Sequence, residues 1–124
     1  MAKILIVDDS ETLRDQLRDV IEKAGHQVVE GHHGRHGCEV AEANQDIDLI
    51  ISDFNMPELD GISMIKRIKE QAQFKETPAF MLTTESTKEL MQQGKEAGVM
   101  AWIVKPFDEE EIIEAIDAVL EDAA

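Results

Sequence analysis

The chain is poor in positive charge: Lys and Arg number 12 against 27 Asp and Glu, a formal net charge of −15. Nucleic acids and anionic lipid surfaces are bound by clustered cations, so no DNA partner is expected. Cysteine is reduced to Cys38, which rules out a disulfide framework within the chain and points to a reducing compartment. No apolar run approaches the ~18 residues of a membrane span, so membrane insertion is not expected either. The N-terminal Met-Ala-Lys runs into a short apolar strand with no signal-peptide pattern, and a cytoplasmic location is expected. No repeat, linker or low-complexity tract divides the 124 residues. They read as one domain over 1–124, expected to be a monomer, and long enough to bury roughly two-thirds of its unfolded surface.

What is present is an alternation of strand-like and helix-like segments. Ile4–Val7 precedes a helix with Leu13, Leu17, Val20, Ile21 and Ala24 at 3.6-residue spacing, stopped by Gly25. Val28–Val29 is a short strand, followed by a helix over about Gly37–Ala43. Leu49–Ile51 is apolar throughout, as strands covered on both faces are. Ile62, Ile65, Ile68 and Ala72 mark the third helix, and Pro78 opens the fourth strand, Phe80–Leu82. Ser86 with Glu89 predicts a capping box for the fourth helix, ended by Gly98, and Gly94 in its middle costs roughly 1 kcal/mol against Ala. Ile103–Val104 is the fifth strand; Asp108 with Glu111 caps a last helix striped by Ile112, Ile113, Ile116, Val119 and Leu120. A (βα)5 order with right-handed crossovers gives an α/β, doubly wound parallel sheet with helices on both faces.

The strand ends carry the chemistry. Asp8 and Asp9 follow the first strand, Asp53 the third, Thr83 the fourth and Lys105 the fifth. Ligands of such sheets bind outside the carboxyl ends of the strands, so three acids, a hydroxyl and an amine are expected to meet. That set suits a divalent cation and a phosphoryl group. Three carboxylates so close repel one another and are expected to raise one another's pKa values without a cation. Ser10 is available to cap the first helix, which leaves both preceding acids for metal.

The segments Ile4-Leu-Ile-Val-Asp-Asp-Ser10, Asp53-Phe-Asn-Met-Pro-Glu-Leu-Asp-Gly61, Met81-Leu-Thr-Thr-Glu85 and Trp102-Ile-Val-Lys-Pro-Phe107 resemble the four signatures of response-regulator receiver domains, of the stand-alone chemotaxis type. Each is weak alone; together, in order and with family spacing, they are specific. The resemblance implies a flavodoxin-like five-stranded sheet in the order 2-1-3-4-5, for which the chemotaxis member of the family is a standing example. It implies Asp53 as phosphoacceptor, Mg2+ bound by Asp9, Asp53, the Asn55 carbonyl and, through water, Asp8, with Lys105 on a phosphoryl oxygen. Thr83 would bond the phosphoryl group, and Trp102, standing where an aromatic is usual, would change rotamer with it. Asn55 and Glu85 fall where the family tunes phosphate lifetime. The Lys105-Pro106 bond is expected to be cis. The implied partners are a histidine kinase or phosphotransfer protein as donor and a downstream protein target, in chemotaxis or as a phosphorelay shuttle. The chain is not expected to be an enzyme beyond its own phosphorylation and autodephosphorylation.

Other features depart from that pattern or compete with it. A Mg2+-dependent aspartyl-phosphate phosphatase needs Asp-x-Asp after its first strand, where this chain has Asp8-Asp9-Ser10. A flavin carrier needs a Ser/Thr/Gly-rich phosphate cradle there, and acids would repel its phosphate. His32, His33, His36 and Cys38 lack ordinary zinc spacing, so Gly31–Gly37 reads as an exposed flexible loop. The last helix carries Asp108, Glu109, Glu110, Glu111, Glu114, Asp117, Glu121 and Asp122 with no Lys or Arg, where chemotaxis regulators present basic residues to targets. The resemblance further implies a kinase-docking surface on the first helix, with Arg14, Arg18 and intervening acids.

Overall fold

Residues 1–123 are described by a computed structural model, except that the side chains of Asp122, counted in the acidic run, and Ala123 lie outside the described residues. Five strands, β1 (Lys3–Val7), β2 (Gln27–Gly31), β3 (Leu49–Ser52), β4 (Ala79–Thr83) and β5 (Val99–Val104), form one sheet. All pairings are parallel and the order is β2-β1-β3-β4-β5, the expected flavodoxin-like arrangement. The helices are α1 (Glu11–Lys23), α2 (Gly34–Ala43), α3 (Gly61–Lys69), α4 (Lys88–Glu96) and α5 (Glu109–Ala123).

The sheet has two cores because its central strands are apolar at successive positions. Ile4 and Ile6 pack with Ile51, Phe80 and Leu82 under Leu17 and Ile21 of α1 and Ile112 and Ile116 of α5. Leu5 and Val7 point the other way, with Ile50 and Met81, beneath Ala41 of α2 and Ile62, Met64, Ile65 and Ile68 of α3. Both faces of β1, β3 and β4 are thereby removed from water, each large side chain contributing about 1.5–3 kcal/mol of transfer free energy. Gly25 and Gly98 stop α1 and α4 in left-handed conformation, at φ of 93° and 99°, where a side chain is strained. Among the described residues, no helix is long and apolar enough to cross a membrane.

Several local readings change. Gly31–Gly37 is not a loop: β2 runs to Gly31, and α2 starts at Gly34 with His33 as its cap. His33 Nδ1 accepts from the His36 amide at 3.2 Å, and His36 Nδ1 accepts from the His32 amide at 2.9 Å. An imidazole nitrogen thus does the work usually given to Ser, Thr, Asn or Asp. Helix α4 is capped by Thr87, whose Oγ1 accepts from Leu90 N at 3.2 Å, rather than by Ser86. Ala72 leaves α3 for a separate 3-10 turn, Ala72–Phe74, which buries Phe74. Asp108 caps α5 as expected, its Oδ1 accepting from Glu110 N at 2.8 Å and Glu111 N at 3.3 Å.

Candidate functional site

Register sets the geometry at the carboxyl end of the sheet. Val7 lies opposite Ser52, so Asp8 and Asp53 leave the sheet side by side, and the Asp53 amide donates to the Val7 carbonyl at 3.0 Å. Thr83 lies opposite Val104, and the Lys105 amide donates to the Thr83 carbonyl at 2.9 Å. The strands therefore deliver one ammonium to two acids: Lys105 Nζ is 2.9 Å from Asp8 Oδ2 and 3.3 Å from Asp53 Oδ2. The remaining oxygens of the pair are held by backbone, Asp8 Oδ1 by Ser10 N at 2.8 Å and Asp53 Oδ1 by Phe54 N at 2.7 Å.

Asp9 completes the acidic group from the solvent side. One carboxylate oxygen each of Asp8, Asp9 and Asp53 lies within 4.8 Å of the others, with Asp8 and Asp53 buried and Asp9 exposed. Hard, anionic oxygen donors at one open edge fit a Mg2+ that keeps several waters. Burial raises the Asp8 pKa, and the Lys105 ammonium opposes that without cancelling it; the charge of Asp53 is the smallest contribution. At Asp8 the expected repulsion by Asp53 is thus secondary to desolvation. Burial pulls Lys105 downward, yet the carboxylates of Asp8 and Asp53 outweigh it and hold the ammonium above its ordinary range. Lys105-Pro106 is cis.

Around this centre the loops are tied down. Ser10 caps α1, accepting from Leu13 N at 3.3 Å. Gly61 passes so close to Asp53 that a Cβ there would stand 2.1 Å from the Asp53 carbonyl oxygen, so no larger residue fits without moving the acid. The Asn55 amide donates to Glu85 Oε1 at 2.8 Å, joining the two loops that follow β3 and β4. Thr83 is 0% exposed, and its hydroxyl accepts from Glu85 N at 3.3 Å. Among the described residues, no hydrogen bond joins Thr83 to the carboxylates, so it stands beside the acidic group rather than in it.

Trp102 lies further along the same edge. Its Nε1 donates to the Glu85 carbonyl at 2.7 Å. The ring lies against Gly94, where a Cβ would come within 2.8 Å of Trp102 Cζ3. The mid-helix glycine therefore makes room for the indole. Glu85 meets Asn55, Thr83 and Trp102 through three different atoms.

Arg14 is the residue that sequence reading misplaced. It is 7% exposed, so it is not available on a docking surface. Its Nε donates to Glu30 Oε1 at 3.0 Å and its Nη1 to the Asp8 carbonyl at 2.5 Å. Its position three residues before Leu17 and seven before Ile21 puts it on the inner face of α1; that spacing was the available signal.

The defining pattern of the response regulator receiver domain matches residues 4–117. The chain belongs to this family. This receiver domain is 38% identical over 119 residues to the chemotaxis protein CheY1 of Helicobacter pylori, covering 95% of this chain and 96% of that protein. It is 35% identical over 120 residues to the protein PilH of Pseudomonas aeruginosa, covering 97% and 98%. The solved structure of the Vibrio cholerae chemotaxis protein CheY4 superposes with a TM-score of 0.91 at 39% identity, covering 96% of this receiver and 98% of that chain.

Proposed function

We propose that this receiver is a phosphorylation switch in two-component signalling, with Asp53 as its phosphoacceptor. The observation that supports it most is the Lys105 ammonium set between Asp8 and Asp53 at 2.9 and 3.3 Å, with Asp9 open to solvent beside them. An Asp53 oxygen attacks phosphorus of a phosphohistidine on a histidine kinase or phosphotransfer protein. The phosphorus–nitrogen bond breaks, and its electron pair stays on the imidazole. Lys105 follows the phosphoryl oxygens and offsets their charge. Asp9, Asp53, the Asn55 carbonyl and a water on Asp8 are the groups that would hold Mg2+, which when bound shields the acids and polarises the phosphoryl group. Water later attacks the same phosphorus, releasing inorganic phosphate and the free Asp53 carboxylate. The Asn55–Glu85 bond joins the loops after β3 and β4, and these two residues would tune that rate.

The signal is read outward by a population shift. The Thr83 hydroxyl retains a proton to donate to a phosphoryl oxygen, and Glu85 and Trp102 are bonded in turn to its surroundings. The names of the relatives favour chemotaxis as the setting, with a protein target downstream. The site itself would serve a phosphorelay shuttle equally well. A phosphatase is disfavoured because Ser10, at the position where those enzymes carry their second Asp, is committed to capping α1.

Incubation with acetyl phosphate and Mg2+, followed by intact mass measurement, should give one phosphoryl adduct that vanishes in Asp53→Asn. Adduct persisting in that variant would overturn the assignment.

A further inference from the structure

We infer that Arg14 is a positioning residue for the acidic site: it fixes the peptide plane that aims Asp9 at a divalent cation. This role rests on the metal reading above. Asp8 and Asp9 form the turn between β1 and α1. The Asp8 amide still pairs with the Gly31 carbonyl at 3.3 Å, but β1 has ended at Val7 and the Asp8 carbonyl has left the ladder. Arg14 Nη1 takes that carbonyl at 2.5 Å in a buried contact.

The Asp8 carbonyl belongs to the rigid peptide unit that also contains the Asp9 nitrogen and Cα. Holding its oxygen fixes the N–Cα bond of Asp9, the axis about which its side chain turns. The Asp8 carboxylate has its own anchors in Ser10 N and Lys105 Nζ. Asp9 has no such anchor: it is exposed, and no hydrogen bond to its carboxylate is found among the described residues. Its placement therefore depends on the backbone, and the backbone there depends on Arg14.

Arg14 is itself held from the far side. Its Nε bonds Glu30 Oε1 at 3.0 Å near the end of β2, and Glu30 Oε2 takes Arg18 Nη1 at 2.8 Å. One carboxylate thus sits between two guanidiniums and locks the fork of Arg14 toward Asp8. A planar guanidinium can serve a carbonyl and a carboxylate at once through different nitrogens; a lysine ammonium on a flexible stem cannot hold both directions. Outer groups that orient metal ligands commonly change metal affinity by 10–100-fold when removed.

The test is a calorimetric Mg2+ titration of the full chain, with thermal unfolding measured in parallel without metal. Arg14→Met should raise the Mg2+ Kd about ten-fold, Arg14→Lys should recover part of that loss, and Glu30→Gln should raise the Kd about three-fold. Acetyl phosphate labelling at saturating Mg2+ should return to within about two-fold of wild type in each, as expected of a group that orders ligands without touching the reacting atoms. Wild type that fails to bind Mg2+ would overturn the metal reading itself. Wild type that binds, beside folded variants of unchanged Kd, would overturn the role of Arg14 alone. If Arg14→Met does not fold, Arg14→Lys and Glu30→Gln decide, and unchanged Kd in both overturns the role.

Discussion

The carboxyl end of β1 and β3 and the outer edge formed by α4 and β5 belong to the same sheet and are built on opposite terms. At the first, Asp8 and Asp53 are buried and all four of their carboxylate oxygens are paired, with Ser10 N, Phe54 N or Lys105 Nζ. At the second, Met91, Met100 and Val104 are exposed, and the half-buried Trp102 packs on the rim of the core with one hydrogen bond and a contact with Gly94. Chemistry needs groups fixed to fractions of an ångström, whereas a surface that signals needs two packings close in free energy. Glu85 touches both, through Asn55 and Thr83 on one side and Trp102 on the other. A single residue therefore bridges the bonded acids and the more exposed edge.

The largest effect should come from the fixed end. Lys105→Met leaves Asp8 and Asp53 facing each other without a cation. It should cost about 2 kcal/mol in metal-free buffer, below the figure for a fully enclosed pair because Lys105 keeps some water contact. Labelling by acetyl phosphate should slow about 100-fold. Urea unfolding and timed mass measurement report the two; stability and rate both unchanged would show that this end is not built around the ammonium.

How much of this was legible follows from what each feature depends on. The parallel strands and the acids at their ends show in the sequence because strand-length apolar runs and strand-end residues are local patterns; the order of the strands came from the resemblance to receiver domains. Arg14 was read as surface because its partners, the Asp8 carbonyl and Glu30, are brought to it only by the pairing of β1 with β2. The start of α2 was placed three residues late because histidine is not a usual cap, and its bond to the His36 amide exists only in the folded turn. Ser86 and Thr87 are adjacent and chemically equivalent as caps; Glu89 favoured the first, while the folded chain uses the second. Gly94 was legible as a weak point of α4, but its use as a seat for Trp102 needs the packing of α4 on β5.

A smaller effect should appear at the adjustable edge. Gly94→Ala gains roughly 1 kcal/mol of helix propensity but sets a methyl 2.8 Å from the indole. Displacing the ring should outweigh that gain, for a net loss of about 1 kcal/mol and a shifted Trp102 emission. In a Trp102→Ala background the same substitution should stabilise, and the difference between backgrounds measures the coupling. Additive effects would mean that ring and helix are independent, and that this edge is less of a unit than it looks.

The smallest effect concerns pH. Burial raises the Asp8 pKa above the ordinary 3.8, so the folded chain binds this proton more tightly than the unfolded chain does. Stability then falls as pH rises from that ordinary value through the folded one, and the deficit persists at neutral pH. Lys105 is raised above 10.5; its contribution is present at neutral pH and is lost only as pH climbs through the folded value. Asp8→Asn removes the first term and weakens the second, so metal-free protein at pH 7 should gain about 0.5 kcal/mol and lose most of that gain near pH 4. A gain that did not depend on pH would put its origin elsewhere.

The pairing of β4 with β5 slips between Ala79–Val99 and Phe80–Ala101, which leaves Met100 as an extra residue on the outer strand and 63% exposed. A regular parallel edge carrying Met100, Trp102 and Val104 would offer a ready template for another chain to extend the sheet. The inserted residue breaks the even spacing of the free amides and carbonyls and adds local twist. An edge that exposes Met100 and Val104 is thereby a poorer template for copies of itself.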